Sequence, residues 1–214
     1  MTMNTLKEII EIENFLTAIE LEQVNAAVEK WQMVPYYSNG GRFTKGSLIA
    51  NQAIQPWDQS DQAVSIIKPK LDNLLGEYRV SELVLQELSL PWDVHTDYVR
   101  SSNVGRPYYS VIIALSNCDS RTILFDQTAE HNDFYKFKQT NKKTTNPVDQ
   151  NFWQNNLSHC WDEDREYLSL RYVSRPWKPG NLFSFQRNVL HSSDNFHTRT
   201  SYPKRFIQIL TDKI

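Results

Sequence analysis

The stretch LPWDVHTDYVR sets His95 two residues before Asp97. In an extended strand, residues i and i+2 project to the same face, so this imidazole and carboxylate converge on one point while Thr96 faces away. A second histidine, His191, follows an apolar run and a short turn in PGNLFSFQRNVLHSS. Two neutral imidazoles and one carboxylate occupy one face of an octahedral ion, usually Fe(II), and leave adjacent positions open. His95, Asp97 and His191 are therefore the candidate metal ligands and the candidate catalytic centre. An open centre of this charge holds a 2-oxo acid through its carboxylate and ketone. The far carboxylate of that acid then needs a buried cation, and the planar fork of arginine suits it. Arg205 is the favoured partner, because the apolar alternation of FIQIL behind it places it at a strand start. Arg199, which opens an R-T-S triplet, is its rival. Lys204 is expected on the opposite, solvent-facing side.

An H-x-D alternation alone is common surface decoration. The order H-x-D, distal histidine, following arginine, each in a strand context, gives the set its weight. The remaining candidates read as structural. Tyr108 and Thr122 sit in apolar runs and are expected in the core. His131 and His159 fall in a polar stretch and are expected at the surface, whereas His197 is close enough to His191 to line a site mouth. The pair His159-Cys160 lacks the four closely spaced ligands of a structural zinc site. WDEDRE (161–166) is expected to be a solvated turn. Arg100, Arg106, Lys142 and Lys143 are basic residues that the sequence does not place on one face.

The elements that must position these residues can be read from periodicity. Thr17 and Glu20 form a capping-box signature, and Leu21, Val24, Val28 and Trp31 recur at helical spacing, which predicts a helix over about 18–30. A second helical region, QPWDQSDQAVSIIKPKLDNLLGEY, is expected to break or stagger near Lys68-Pro69. From residue 81 the pattern turns to strands: SELVLQELSL, DVHTDYV, YYSVIIALSN, RTILFDQ, YLSLRYVSR, the strand after WKPG, and KRFIQILTD. Helices first and strands after predict a mainly β fold, a jelly-roll sandwich buttressed by N-terminal helices. The whole chain, 1–214, reads as one domain, with residues 1–80 as helical support, 81–214 as the jelly-roll core, and an insertion at about 128–160 that would act as a lid or binding loop.

With these pieces in place, the chain resembles the Fe(II)/2-oxoglutarate-dependent dioxygenases, nearest in layout to the prolyl-hydroxylase-like and phytanoyl-hydroxylase-like branches. The residues that carry the resemblance are IIEIENFLTAIELEQV as an N-terminal strand and helix, VHTDYV as the metal H-x-D, and YYSVIIALSN and RTILFDQ as the strands that follow. PGNLFSFQRNVLHSS matches the approach to the distal histidine, and KRFIQILTD matches the last strand. The resemblance implies a double-stranded β-helix, cupin-like, with Fe(II) on His95, Asp97 and His191 and 2-oxoglutarate as co-substrate on Arg205. It also implies dioxygen as oxidant and hydroxylation of a substrate C–H bond, with succinate and CO2 as co-products. Asp97 sets the chain apart from halogenating relatives, which lack this carboxylate.

Bulk properties narrow the partners. With 214 residues and a formal charge of −2, the chain is long enough for a substantial core and has no global field to attract nucleic acid or an anionic membrane. The segment MTMNTLKEIIEIENFL is too acidic for a secretory signal, and no apolar run approaches a membrane span. Two distant cysteines, Cys118 and Cys160, make no disulfide framework, which predicts a reducing, cytoplasmic setting and two ordinary buried thiols. A small-molecule or peptide substrate is expected. The competing expectation is a non-catalytic jelly-roll binding protein for a sugar or peptide, which would need neither open metal positions nor a buried cation.

Overall fold

The computed structural model describes residues 9–39, 42–98, 106–199 and 203–214. Strand β1 (Ile9–Ile12), helix α1 (Ala18–Val28), strands β2 (Val34–Tyr37) and β3 (Leu48–Gln55) and helix α2 (Gln62–Leu75) come first. Strands β4 (Arg79–Leu88), β5 (Arg106–Ala114) and β6 (Thr122–Thr128) follow, then helices α3 (Phe134–Thr140) and α4 (Gln150–Asn156). Strands β7 (Leu170–Val173), β8 (Leu182–Gln186), β9 (Val189–Ser193) and β10 (Lys204–Lys213) complete the described elements.

The capping box forms as its spacing predicts. Thr17 Oγ1 accepts from the Glu20 N–H at 3.3 Å, and the Glu20 carboxylate accepts from the Thr17 N–H at 2.8 Å. Helix α2 is capped by Asp61 and closes at Gly76, whose φ of 72° favours glycine. The expected break at Pro69 is absent, and α2 runs through it. Proline removes one backbone donor there, but Val64, Ile67, Leu71 and Leu75 form a continuous buried face, and that packing holds the helix together.

The described strands form a seven-stranded antiparallel sheet, in the order β1-β8-β5-β10-β4-β3-β2, facing a three-stranded sheet, β7-β6-β9. This is a jelly roll, mainly β with helices on its outside. The first 80 residues are not simply helical support, because β1, β2 and β3 are strands of the major sheet. Strand β3 reads LIANQAIQ, with few branched or aromatic residues, so its composition carries little strand signal.

Helices α1 and α2 cover the outer face of the major sheet. Val24, Ile67 and Leu71 pack there against Leu83, Leu85, Val111, Ile113, Ile207 and Ile209. The opposite parity faces inward, where Leu88, Ile112, Phe183, Phe185 and Phe206 meet Leu124 and Val189 of the minor sheet. The region 128–160, expected to be a polar insertion, instead brings Phe134, Phe137, Trp153, Leu157 and Cys160 onto the outer face of the minor sheet, against Ile123, Phe125 and Leu190. Each fully buried Leu, Val or Phe contributes roughly 1.5–3 kcal/mol of transfer free energy, so both sheets are clamped from outside and the space between them stays open for chemistry. No helix among the described residues is long and apolar enough to cross a membrane.

Candidate metal centre

Strand β9 delivers His191 inward, on the same parity as Val189, with Phe185 against its ring at 4.6 Å between centroids. His95 lies beside it in an extended segment that forms an isolated antiparallel bridge rather than the full strand expected. The two histidines exchange both backbone hydrogen bonds, His95 N–H to His191 O at 3.0 Å and His191 N–H to His95 O at 2.9 Å. Their rings stand 4.2 Å apart. Asp97, two residues on, has its carboxylate 3.8 Å from His95 Nε2 and 3.5 Å from His191 Nε2. The ligand atoms of all three residues lie within 4.8 Å of one another. Thr96 points the other way and donates to the His131 carbonyl at 2.8 Å.

The donor set is prepared for a cation. His95 Nδ1–H donates to the Asp93 carbonyl at 2.6 Å, and His191 Nδ1–H to the Val189 carbonyl at 3.0 Å. Those bonds fix the tautomer and leave each Nε2 lone pair facing Asp97. Burial, then the neighbouring His95, push the pKa of His191 down to about 4, so it is neutral at pH 7. Burial alone would raise the Asp97 carboxyl, but His191, His95, Ser110 and Arg187 outweigh it and hold Asp97 below the usual carboxylate range. Asp97 Oδ2 is buried with no hydrogen-bond partner among the described residues. A buried acceptor left unpaired costs about 1–3 kcal/mol, and a metal ion at the triad removes that cost.

Arg187 holds the carboxylate's backbone in place. Its carbonyl accepts the Asp97 N–H at 3.0 Å, and its Nε–H donates to the Asp97 carbonyl at 3.1 Å. The guanidinium is 1% exposed and pairs with Asp212 at 2.6 Å. It also donates to Ser81 and to the Thr211 carbonyl.

The triad opens into a cavity of about 370 Å³ between the sheets, within the range of small-molecule sites. Here the arginine expectation fails. Arg205 does not face the cavity. It is ion-paired with Glu29 at 2.5 Å and Glu87 at 3.1 Å on the outer side of β10. Arg199 does not line the cavity either and pairs with Asp194 and Asp119. Lys204, expected in solvent, is 2% exposed and lines the cavity with Phe206, Gln208 and Leu210. The physical reason is strand parity: Arg205 shares the helix-covered face with Ile207 and Ile209, and Lys204 shares the inner face with Phe206. Lys204 Nζ donates to Ser193 Oγ at 3.3 Å and lies 3.7 Å from the Trp177 ring centroid. No carboxylate forms an ion pair with it among the described residues. Burial pushes its pKa down to about 8, against the opposing effect of Asp194 and Cys118.

Of the other candidates, Thr122 lines the cavity, whereas Tyr108 packs toward the helix-covered face. His159 is buried, not superficial: its Nδ1 meets Asn195 Oδ1 at 2.6 Å and its Nε2 meets Ser192 Oγ at 3.2 Å. The apolar packing of the 128–160 region carries it inward. His197 is half-buried and packs edge-on to Phe43 outside the cavity lining. WDEDRE leads into a 3-10 helix, Asp162–Tyr167, in which Asp164 is buried and paired with Lys138. Both cysteines are buried and free. Arg100 lies outside the described residues. Sequence reasoning missed Arg187 and Lys204. The signal for Arg187 was a charged residue between two apolar strands, in FSFQRNVLH.

The architecture is that of solved 2-oxoglutarate-Fe(II) oxygenases. The epimerase SnoN, solved with Fe3+, α-ketoglutarate and nogalamycin RO, aligns at a TM-score of 0.56 with 12% identity over 97% of this chain and 80% of that one. A 2OG-Fe(II) oxygenase family oxidoreductase from Burkholderia pseudomallei aligns at 0.58 with 8% identity, over 96% and 85%. A Pseudomonas putida prolyl-4-hydroxylase aligns at 0.51 with 12% identity, over 97% and 93%. No protein-family model matches the chain, and no curated protein matches it in sequence. At these identities the likeness is one of fold, and the site residues carry the rest of the argument.

Proposed function

We propose that this protein is an Fe(II)- and 2-oxoglutarate-dependent oxygenase that hydroxylates a C–H bond of a small molecule or peptide in the cytoplasm, as one domain spanning the chain. The observation that carries this reading is the pairing of two features in one cavity: among the described residues, a His95-Asp97-His191 triad with an orphaned buried carboxylate oxygen, and a buried lysine with a single hydrogen-bond partner. Bound at the triad, Fe(II) with 2-oxoglutarate and dioxygen supplies the oxidation, with succinate and CO2 as co-products.

The chain's own residues have distinct tasks. His95 and His191 present neutral Nε2 donors, and Asp97 supplies the anionic donor. Arg187 keeps the Asp97 peptide from turning. Lys204 takes the far carboxylate of the co-substrate, the role first expected of Arg205. An ammonium with three donors and, among the described residues, one hydroxyl partner, buried among Trp177, Phe196 and Phe206, is an anion receptor, because buried charges are otherwise paired. Ser193 orients it. The aromatic lining keeps water from the centre.

An anaerobic titration with Fe(II) and then 2-oxoglutarate tests the reading through the visible charge-transfer band of the chelate. The band is expected in wild type and Arg205→Met and absent in Asp97→Ala. In Lys204→Met it should need about 10- to 100-fold more 2-oxoglutarate, the loss expected when one charge-assisted partner of a carboxylate is removed. Metal uptake without a band would favour the non-catalytic binding protein.

A further inference from the structure

The cavity holds a second carboxylate that ligates nothing. Glu82 on β4 lines it on the same parity as Gln86 and Leu88. Among the described residues no hydrogen bond or ion pair reaches its side chain. Arg187 acts on it only from a distance and is already paired with Asp212. Burial pushes the Glu82 carboxyl up, Arg187 opposes this, and the charge of Asp97 adds to the rise.

Its position gives the cavity a polarity. Along β10 the cavity-facing residues run Lys204, Phe206, Gln208, Leu210. Lys204 pairs with Leu88 of β4, and Leu210 with Glu82. Lys204 and Glu82 therefore stand six strand positions apart, roughly 20 Å between backbones at about 3.3 Å per residue. Asp97 lies at the Glu82 end, since Ser110, which helps hold its carboxyl low, pairs with Leu210. The cation for an anionic co-substrate is thus at one end, and a carboxylate without a partner is at the other. Between them lie neutral groups: Gln86 donates to Gln208 at 2.7 Å, and Trp92 donates to Gln86 at 3.2 Å. Tyr36, edge-on to Trp92 with centroids 5.2 Å apart, stands level with Lys204, because it pairs with Ala50 and Ala50 with Leu88.

We propose that the substrate carries a protonated amine that pairs with Glu82, its carbon chain lying along Gln86 and Trp92 toward the triad. The proposal rests on the oxygenase reading for the identity of the site, but its chemistry is separable. The Glu82 carboxylate repels an anionic ligand and leaves a neutral one with an uncompensated charge beside it. A cation satisfies it. A free amine and a lysine side chain share this chemistry.

The test is calorimetric titration with matched probes, in metal-free protein and in anaerobic Fe(II)/2-oxoglutarate-loaded protein. Cadaverine is compared with 1,5-pentanediol, and Nα-acetyl-lysine N-methylamide with its norleucine counterpart. At least one amine should bind about tenfold or more tightly than its neutral match, as a charge-assisted hydrogen bond implies. That ratio should fall close to one in Glu82→Gln, with the circular dichroism spectrum unchanged. Glu82→Asp, which keeps the charge and shortens the reach, should retain part of the ratio and serves if the amide variant does not fold. The first pair winning identifies a free amine, and the second a peptide side chain. No preference for amines in wild type overturns the proposal, as does a preference that survives Glu82→Gln. If amines are preferred but no charge-transfer band forms, the oxygenase reading fails and the Glu82 proposal stands. If the band forms without amine preference, only the Glu82 proposal fails.

Discussion

Two clusters among the described residues bring metal-type donors within 4.8 Å of one another: His95, Asp97 and His191, and Asp93, His159 and Cys160. They share the Trp92–Asp97 segment, yet they differ in what their lone pairs face. In the first, both Nδ1 atoms are tied to carbonyls and both Nε2 atoms face the Asp97 carboxylate, whose Oδ2 has no hydrogen-bond partner among the described residues. In the second, the imidazole of His159 is consumed on both sides, by Asn195 and by Ser192 and the Trp92 carbonyl. Its thiol is wholly buried and pushed well above its ordinary range by burial, first of all. Residue type and proximity are therefore not sufficient for a metal site. Unspent lone pairs facing open volume distinguish the first cluster, and internal satisfaction marks the second as a buttress for the ligand-bearing segment.

The largest effect that tests this contrast is the loss of metal. One Fe(II) per chain should bind to wild type, none tightly to Asp97→Ala, and one still to Cys160→Ser, measured by elemental analysis after gel filtration. A second equivalent lost in Cys160→Ser would erase the distinction. Arg187→Met should come next. Removing one partner of a buried ion pair costs about 3–5 kcal/mol, so Asp212, left with only the longer Arg79 contact at 3.8 Å, should lower the denaturation midpoint. In protein that still folds, Fe(II) affinity should fall about 10- to 100-fold, as for lost outer partners of metal ligands. Arg187→Lys, which restores charge but not the fork, should recover stability more than affinity. His159→Ala should cost about 1–3 kcal/mol for the unsatisfied groups it leaves while the metal stoichiometry stays at one.

The smallest expected effect concerns Lys204. Its folded pKa, about 8, lies below the ordinary lysine value, so between those two pH values the unfolded chain binds more protons than the folded one. Ligand-free wild type should gain stability relative to Lys204→Met as pH rises through that window. It should lose relative affinity for 2-oxoglutarate over the same range as the ammonium deprotonates. Chemical denaturation at pH 7 and pH 9.5 reads the first, and the chelate band reads the second. A flat stability difference would show that Lys204 is not a strained buried cation.

The triad was legible in the sequence because H-x-D and a later histidine survive as a pattern whatever the local backbone does. His95 and Asp97 converge even though the segment forms a single bridge, not a strand. The cation was not legible, for a specific reason. Strand β10 is covered on both faces, so Phe206 and Leu210 on one side and Ile207 and Ile209 on the other are all buried. Alternation then carries no information about which side is inside, and the choice between Lys204 and Arg205 has even odds. Gln208, a polar residue among four apolar ones, was the one pointer to the cavity side. His159 was misplaced for a related reason: polar residues between 128 and 160 outnumber the aromatics, but Phe134, Phe137 and Trp153 suffice to pull the segment onto the sheet.

Strand β10 lies between β5 and β4 at the centre of the major sheet, and it follows all three triad residues in chain order. It supplies Lys204 and also Asp212, the counter-charge that keeps Arg187 on the Asp97 peptide. A nascent chain halted on the ribosome after His191 would own every ligand and have no rigid centre to present them. On the proposed reading, ion capture would wait until synthesis has passed residue 212 and the last strand is in place, so that metal loading would report on the closing of the major sheet.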